Sequence, residues 1–217
     1  MDGRPAGPRR GQVKKLSQES RVESERPAWR QAAEKNPCRV NDHRWLEPFQ
    51  QHQTFEMAKT KITALIHTQD NARSLGRALD SLRQCDECIV VDHGSRDETV
   101  KVAKEHGARV INAVPGVNRG AYAQDARNPW ILCLLPHEAV AEDLEASLLE
   151  WTDTEQDVSQ MGFNMAIREQ NGAGWKPLDP ELRLANRKQI NWTGDLPPNN
   201  PQAPALAGYI LRIPEEH

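Results

Sequence analysis

The stretch KITALIHTQDNARSLGRALDSLRQCDECIVVDHGSRDETVKVAKEHGARVI, residues 61–111, decides the fold. Two short apolar runs, ITALI at 62–66 and CIVVD at 88–92, leave no polar face, which is the pattern of strands covered on both sides. Between them Leu75, Ala78, Leu79 and Leu82 recur at helical spacing, and Asn71 stands where a cap for that helix belongs. Ser95-Arg-Asp-Glu98 has the form of a capping box, opening a second helix with Val100 and Ala103 inward. That helix closes near Gly107, and ARVI at 108–111 supplies a third strand. Strand and helix alternating with short connections predict an α/β domain built on a parallel sheet with right-handed crossovers.

The pattern continues downstream. A short helical stretch follows Gly120, WILCLL at 130–135 is a fourth strand, and Val140, Leu144 and Leu148 mark another helix. Ligands of such sheets sit beyond the carboxyl ends of the strands. That rule selects His67–Asp70, Asp92–Ser95 and Pro136–Glu138, which leave three different strands and should meet on one edge.

Upstream the character of the chain changes. Residues 1–56 hold 11 Lys/Arg and 8 Asp/Glu, only seven Leu, Ile, Val or Phe, and prolines at 5, 8, 27, 37 and 48. Such a segment buries too little apolar surface to offset its ordering entropy, so it is expected to be a disordered N-terminal extension. The basic run RRGQVKKL gives it an alternative reading as a docking arm. The abrupt shift also makes Met57 an alternative start, with 57–217 as the functional domain.

Net charge is −3 over 217 residues, so no global basic field points to nucleic acid. No apolar run reaches the length of a membrane span, and the N-terminus lacks the apolar core of a secretory signal. A cytoplasmic location is expected, with peripheral contact at the inner face of a membrane still open. Cysteines stand at 38, 85, 88 and 133. Cys85-Asp-Glu-Cys88 has redox or half-zinc spacing, but it joins a helix end to a strand start with no second pair nearby, so buried reduced thiols are the simpler reading.

At the strand edges, Asp92 can accept hydrogen bonds from a ribose or a base ring N–H, and Gly94 lets the backbone turn and a ligand approach. Asp92 and Asp97 can equally serve the turn and the positive helix end, and for Ser95 and Asp97 that account is preferred. No G-x-G-x-x-G follows the first strand and no Walker lysine motif occurs, which speaks against dinucleotide and P-loop sites. The first turn, His67-Thr68-Gln69-Asp70-Asn71, is polar rather than glycine-rich and suits a base or sugar edge.

Residues 61–195 resemble a family 2 glycosyltransferase of GT-A fold, and more narrowly the bacterial branch that adds sugars to lipopolysaccharide core. The similarity rests on Thr68-Gln-Asp70-Asn71 against that branch's Thr-x-Asn-Glu, and on Val91-Asp-His-Gly-Ser-Arg-Asp97 against Val-Asp-Ser-Gly-Ser-x-Asp. It extends to GWKPLDPELRL at 174–184. The resemblance implies a GT-A-like (Rossmann-like), mostly parallel sheet flanked by helices. It also implies an inverting enzyme that moves a sugar from a nucleotide-sugar donor to a glycan or lipid-linked acceptor of the cell envelope.

By carry-over, Thr68 and Asp70 would line the nucleotide and Asp92 would hold the base or ribose, with Gly94 allowing close approach. A transferase without metal would need cations at the diphosphate, for which Arg119, Arg183 and Arg187 are candidates. The family's Asp-x-Asp motif holds a divalent cation, Mn²⁺ or Mg²⁺, against the donor diphosphate. Its aspartate positions here are Leu135 and His137, which leaves His137 and Glu138 as the metal candidates. Inversion requires a general base, for which Asp179 matches the family's aspartate and Glu181 comes second. Trp175 and Trp192 are candidates to stack on a sugar, or core residues. The altered motif also admits a catalytically inactive relative that retains the fold as a nucleotide- or glycan-binding module or a scaffold.

Overall fold

In a computed structural model the described residues are 59–214. The expectations for residues 1–56, the Met57 start and Cys38 fall outside them. Eight strands form one sheet: β1 (Ile62–Thr68), β2 (Glu87–Asp92), β3 (Arg109–Asn112), β4 (Trp130–Leu134), β5 (Glu138–Val140), β6 (Gly162–Asn171), β7 (Gly174–Asn186) and β8 (Ala205–Arg212). The helices are α1 (Ala72–Asp80), α2 (Thr99–Glu105) and α3 (Glu142–Thr152), with a 3₁₀ segment at Arg119–Asp125. Strand order is β3-β2-β1-β4-β7-β6-β8-β5. The β3-β2-β1-β4 half is parallel, as the sequence predicts, with Thr68 directly opposite Asp92. From β4 onward the sheet is mixed: β7 is antiparallel to β4 and β6, β8 is parallel to β6, and β5 is antiparallel to β8.

Every residue of β1 is buried, because both faces are covered. Ile62, Ala64 and Ile66 face one way, into a core shared with Leu75, Ala78 and Leu79 of α1, Ala103 of α2 and Leu144, Leu148 and Trp151 of α3. Leu65 faces the other way, with Ile89, Val91, Ile131 and Cys133, against Tyr122 and Ala123 of the 3₁₀ segment and Trp192. Period-2 alternation thus persists inside a run that looks uniformly apolar in sequence. In α3, Leu144 and Leu148 stack on one face while Glu142, Asp143 and Glu145 favour the positive helix end. Gly208 of β8 lies so close to α3 that a Cβ there would sit 2.3 Å from the Leu144 nitrogen, and its φ is +100°.

The helix starts differ from expectation. Asn71 occupies the N-cap position of α1 but makes no cap hydrogen bond; its Oδ1 accepts from the Gln69 N–H and the Thr68 hydroxyl. Asp97 takes that role from the other βα unit, its Oδ2 accepting the Ala72 N–H at 3.0 Å. The same carboxylate accepts the Thr99 N–H at 2.9 Å at the start of α2. The Ser95–Glu98 capping box does not form, because Ser95 Oγ is committed to Asp92 and to the Asp70 N–H. Burial pushes the Cys88 thiol up to about 11 and that of Cys133 to about 12, and raises Cys85 well above its ordinary value, so none carries thiolate character at neutral pH.

Candidate functional site

The carboxyl ends of β1 and β2 form one polar edge. Thr68, 3 % exposed, donates its hydroxyl to Asn71, and Asp70 stands in the left-handed region at φ +54°. Asp70 accepts the Arg96 N–H at 2.6 Å, tying the first turn to the second. Asp92 is buried, and its carboxylate accepts the Gly94 N–H at 3.2 Å, the Ser95 N–H at 3.2 Å and the Ser95 hydroxyl at 2.5 Å. Gly94, at φ +90°, lets the chain wrap around that carboxylate. Thr68, Asp70, Asp92 and Gly94 are therefore together, but much of their hydrogen bonding serves the turns themselves.

Beside them a cleft of about 410 Å³ opens between His93, Gly94, Val114, Gly116, Val117 and Arg119. Arg119 closes one side, its Nη1 lying 2.8 Å from each carboxylate oxygen of Asp195. The Arg119 N–H also donates to the Thr193 carbonyl, and Gly120 presses on Trp192 so closely that a Cβ would meet its carbonyl oxygen at 2.2 Å. Residues 192–195 thus form a strap against the 3₁₀ segment. His67 Nδ1 lies 2.9 Å from His93 Nε2 at the same edge. Burial lowers His67 to about 4, with the Asp195 charge opposing and His93 and Arg119 adding to the fall, so its ring is neutral at pH 7. His93 is lowered as well, by burial and Arg119 against Asp195 and Asp92. A larger cavity of about 840 Å³, lined by Cys85, Glu87, His106 and Arg109 among others, lies at the amino ends of β2 and β3, the edge remote from Asp92.

The remaining candidates assemble elsewhere. Glu138 and Arg183 are both fully buried and pair through two contacts, Nη1–Oε2 at 2.6 Å and Nη2–Oε1 at 2.9 Å. Arg212 Nε adds 2.9 Å to Glu138 Oε1, and the Leu135 N–H adds 2.9 Å to Oε2. Glu181 bonds the opposite side of Arg183 at 2.9 Å and meets Arg212 at 3.4 Å, completing a ring of two carboxylates and two guanidiniums. Burial pushes Glu138 up, but Arg183, the Leu135 N–H and Arg212 outweigh it and hold its carboxyl below the usual range. Arg183, expected at a diphosphate, therefore faces Glu138, Glu181 and the Cys133 carbonyl inside the sheet. Arg187 is held by the Asn128 carbonyl and Gln124. Asp179 is an exposed residue of β7, on the same strand as Trp175, which is 45 % exposed; Trp192 is core.

The divalent cation implied by the family resemblance does not fit these residues. The Leu135 side chain offers no ligand atom, and both oxygens of Glu138 already accept charge-assisted bonds that a metal would have to displace. Among the described residues no group of three His, Cys, Asp or Glu is placed to hold a metal ion.

Asp195 and Arg212 were not singled out in the sequence. Asp195 meets Arg119 across 76 positions, and Arg212 meets Glu138 across 74, so no local pattern marks either. No described helix is long and apolar enough to cross a membrane.

The chain has relatives among known proteins. The chain is 31% identical over 137 residues to an uncharacterized glycosyltransferase of Rickettsia prowazekii, covering 59% of this chain and 47% of that one. It is 27% identical to one of Rickettsia typhi over the same coverage. A TPR repeat-containing protein of Synechococcus elongatus is 31% identical over 144 residues, 62% of this chain and 34% of its own length. The chain thus spans less than half the length of each of these relatives. Among solved structures, glucosyl-3-phosphoglycerate synthase from Mycobacterium tuberculosis in complex with UDP superposes with a TM-score of 0.36 at 15% identity, covering 51% of this chain and 44% of that one. The sequence profile of glycosyl transferase family 2 matches residues 63–206, from β1 into β8. The chain belongs to glycosyl transferase family 2.

Proposed function

We propose that the domain binds the nucleoside diphosphate of a sugar donor across the carboxyl ends of β1 and β2 and transfers the sugar, with inversion, to a glycan or lipid-linked acceptor of a bacterial cell envelope. The observation that carries this reading is the cleft of about 410 Å³ bounded by His93, Gly94 and Arg119 at the edge where Thr68, Asp70 and Asp92 converge. Thr68, Asp70 and the Asp92 turn shape the base and ribose end. Arg119 meets the diphosphate by exchanging Asp195 for a phosphate oxygen, one anion for another. In the transfer, a carboxylate takes the proton of the acceptor hydroxyl while the hydroxyl oxygen bonds the anomeric carbon and the nucleoside diphosphate leaves from the opposite face. Asp179, exposed on β7, is the base of choice; Glu181 is held in the ion ring by Arg183 and Arg212. Charge on the leaving diphosphate is met by guanidinium rather than metal, since Glu138 is not available to a cation. The setting is the cytoplasmic side of the membrane, where a lipid-linked acceptor is presented.

The test is donor binding and turnover by the full chain with a panel of nucleoside diphosphate sugars, in Mn²⁺ and in EDTA. Thermal stabilisation and product release that survive EDTA are expected; no response to any donor in either condition overturns the reading. A second reading, a binding module without catalysis, is favoured by Leu135 at a motif aspartate position and by the occupied Glu138. Under it nucleoside diphosphates stabilise the chain but no sugar is released. Leu135→Asp with His137→Asp then gains Mn²⁺-dependent donor binding only if the rest of the site is intact.

A further inference from the structure

The far half of the sheet has one covered face and one open face. Ile167 of β6 and Ile210 of β8 are buried in the core shared with α3, and Leu178 of β7 packs against it. Alternation turns their neighbours to the opposite side. Arg168 lies there between Pro177 and Leu211 in register, Trp175 lies opposite Gln170, and Tyr209 precedes Ile210. On that side β1, β2 and β4 are covered by the 3₁₀ segment and Trp192, whereas β6–β8 have no such layer among the described residues. Trp175, Pro177 and Gln170 are exposed, and Arg168, Tyr209 and Leu211 are half-buried.

Arg168 is the unusual member of this face. Its Cζ sits 3.5 Å from the centre of the Tyr209 ring, a van der Waals thickness, so the guanidinium lies flat on the ring and its N–H groups point sideways in one plane. Arg109, Arg119, Arg183, Arg187 and Arg212 each donate to a carboxylate or a carbonyl. Arg168 has no acceptor among the described residues, and neither the Gln170 amide nor the Tyr209 hydroxyl has a hydrogen-bond partner there. None of the six side chains on the face is acidic, so it carries one uncompensated positive charge.

We propose that this open face of β6–β8 binds an acidic saccharide, with a pyranose ring stacked on Trp175 and a uronate carboxylate received by the Arg168 guanidinium. The exposed indole offers apolar surface to the C–H face of a sugar, and Gln170 and Tyr209 supply partners for its hydroxyls. Trp175 and Arg168 are diagonal neighbours on an antiparallel pair, with Cα atoms about 7–8 Å apart, so one oligosaccharide touches both. A uronate carries its carboxylate directly on the ring, beside the stacked face, and the planar fork of arginine suits it. The face needs neither nucleotide nor metal, so it stands whether or not the cleft beside Asp92 binds a donor.

The test is calorimetric titration of the full chain at pH 7.5 with trigalacturonate, with its methyl ester, and with oligoglutamate, all without nucleotide. The ester keeps the rings and removes the charge. Trigalacturonate should bind about threefold to tenfold more tightly than the ester, as one partly exposed charge-assisted pair requires. Arg168→Met keeps a side-chain stem over Tyr209 and should bring that ratio to unity. Trp175→Ala should weaken acid and ester alike and leave the ratio unchanged. Urea midpoints near the wild-type value in both variants show that contact, not fold, was lost. No binding of trigalacturonate at millimolar concentration, or an acid-over-ester preference that survives Arg168→Met, overturns the proposal. Tighter binding of oligoglutamate than of trigalacturonate overturns it in favour of an acidic peptide.

Discussion

Replacement of Glu138 by glutamine tests whether the ring of Glu138, Arg183, Glu181 and Arg212 holds β5, β7 and β8 together. Glu138 starts β5, Arg183 lies on β7 and Arg212 ends β8, so one carboxylate joins three strands. The amide keeps the shape but leaves a fully buried guanidinium with only Glu181, itself partly exposed, as counterion. Removing one member of a buried pair costs about 3–5 kcal/mol, and the surviving Glu181 contact at 2.9 Å places this case near about 3 kcal/mol. For a domain of this size that lowers Tm by about 6–12 °C. Urea unfolding followed by the fluorescence of buried Trp130 and Trp151 reads the same loss as a midpoint about 1–3 M lower. Glu138→Met with Arg183→Met removes both charges and should recover to within about 1–2 kcal/mol of wild type, because two apolar side chains need no counterion. The pH sign is set by the depressed Glu138 carboxyl: its stabilisation is present above the unfolded carboxylate range and is lost as pH falls through the folded value. A Glu138→Gln loss below about 1 kcal/mol, or a double variant less stable than the single one, would refute the reasoning.

Two further outcomes follow from the packing. Asp97→Ala removes the acceptor at the start of both α1 and α2 and should cost about 1–2 kcal/mol in urea unfolding, with Asp97→Asn recovering most of it. Because Asp97 titrates below its ordinary value, the gap between wild type and Ala should narrow as pH falls through that range. Gly208→Ala should abolish soluble expression or lower Tm far more than an exposed Gly→Ala change, since the added carbon meets Leu144 backbone at 2.3–2.5 Å with φ at +100°.

The first half of the fold is legible because β1, β2 and β4 are continuous apolar runs and α1 and α3 repeat at helical spacing. The second half is not. β7 contains Pro177 and Pro180, which argue against a central strand, yet both lie where β7 pairs only with β6; β4 joins it at Leu184–Asn186. β8 carries Gly208 because α3 crosses it too closely for any side chain, a tertiary fact with no local mark. The site divides in the same way. Asp92 and Gly94 could be read from a strand end and a turn, whereas the meeting of His67 with His93 depends on parallel register across 26 positions. Glu138 was read as a metal candidate from the family motif and Arg183 as a cation for the diphosphate; here they neutralise each other inside the sheet.

Asp97 also bears on the order in which the chain acquires structure. The first turn of α1 depends on an acceptor 25 residues further along, which reaches Ala72 only when β2 has docked beside β1. Loop closure therefore has to precede full formation of the helix start, so α1 frays until its downstream neighbour is in place. As the chain emerges from a ribosome, the first βα unit would wait for the second, and the pair would become protected from hydrogen exchange as a single cooperative block.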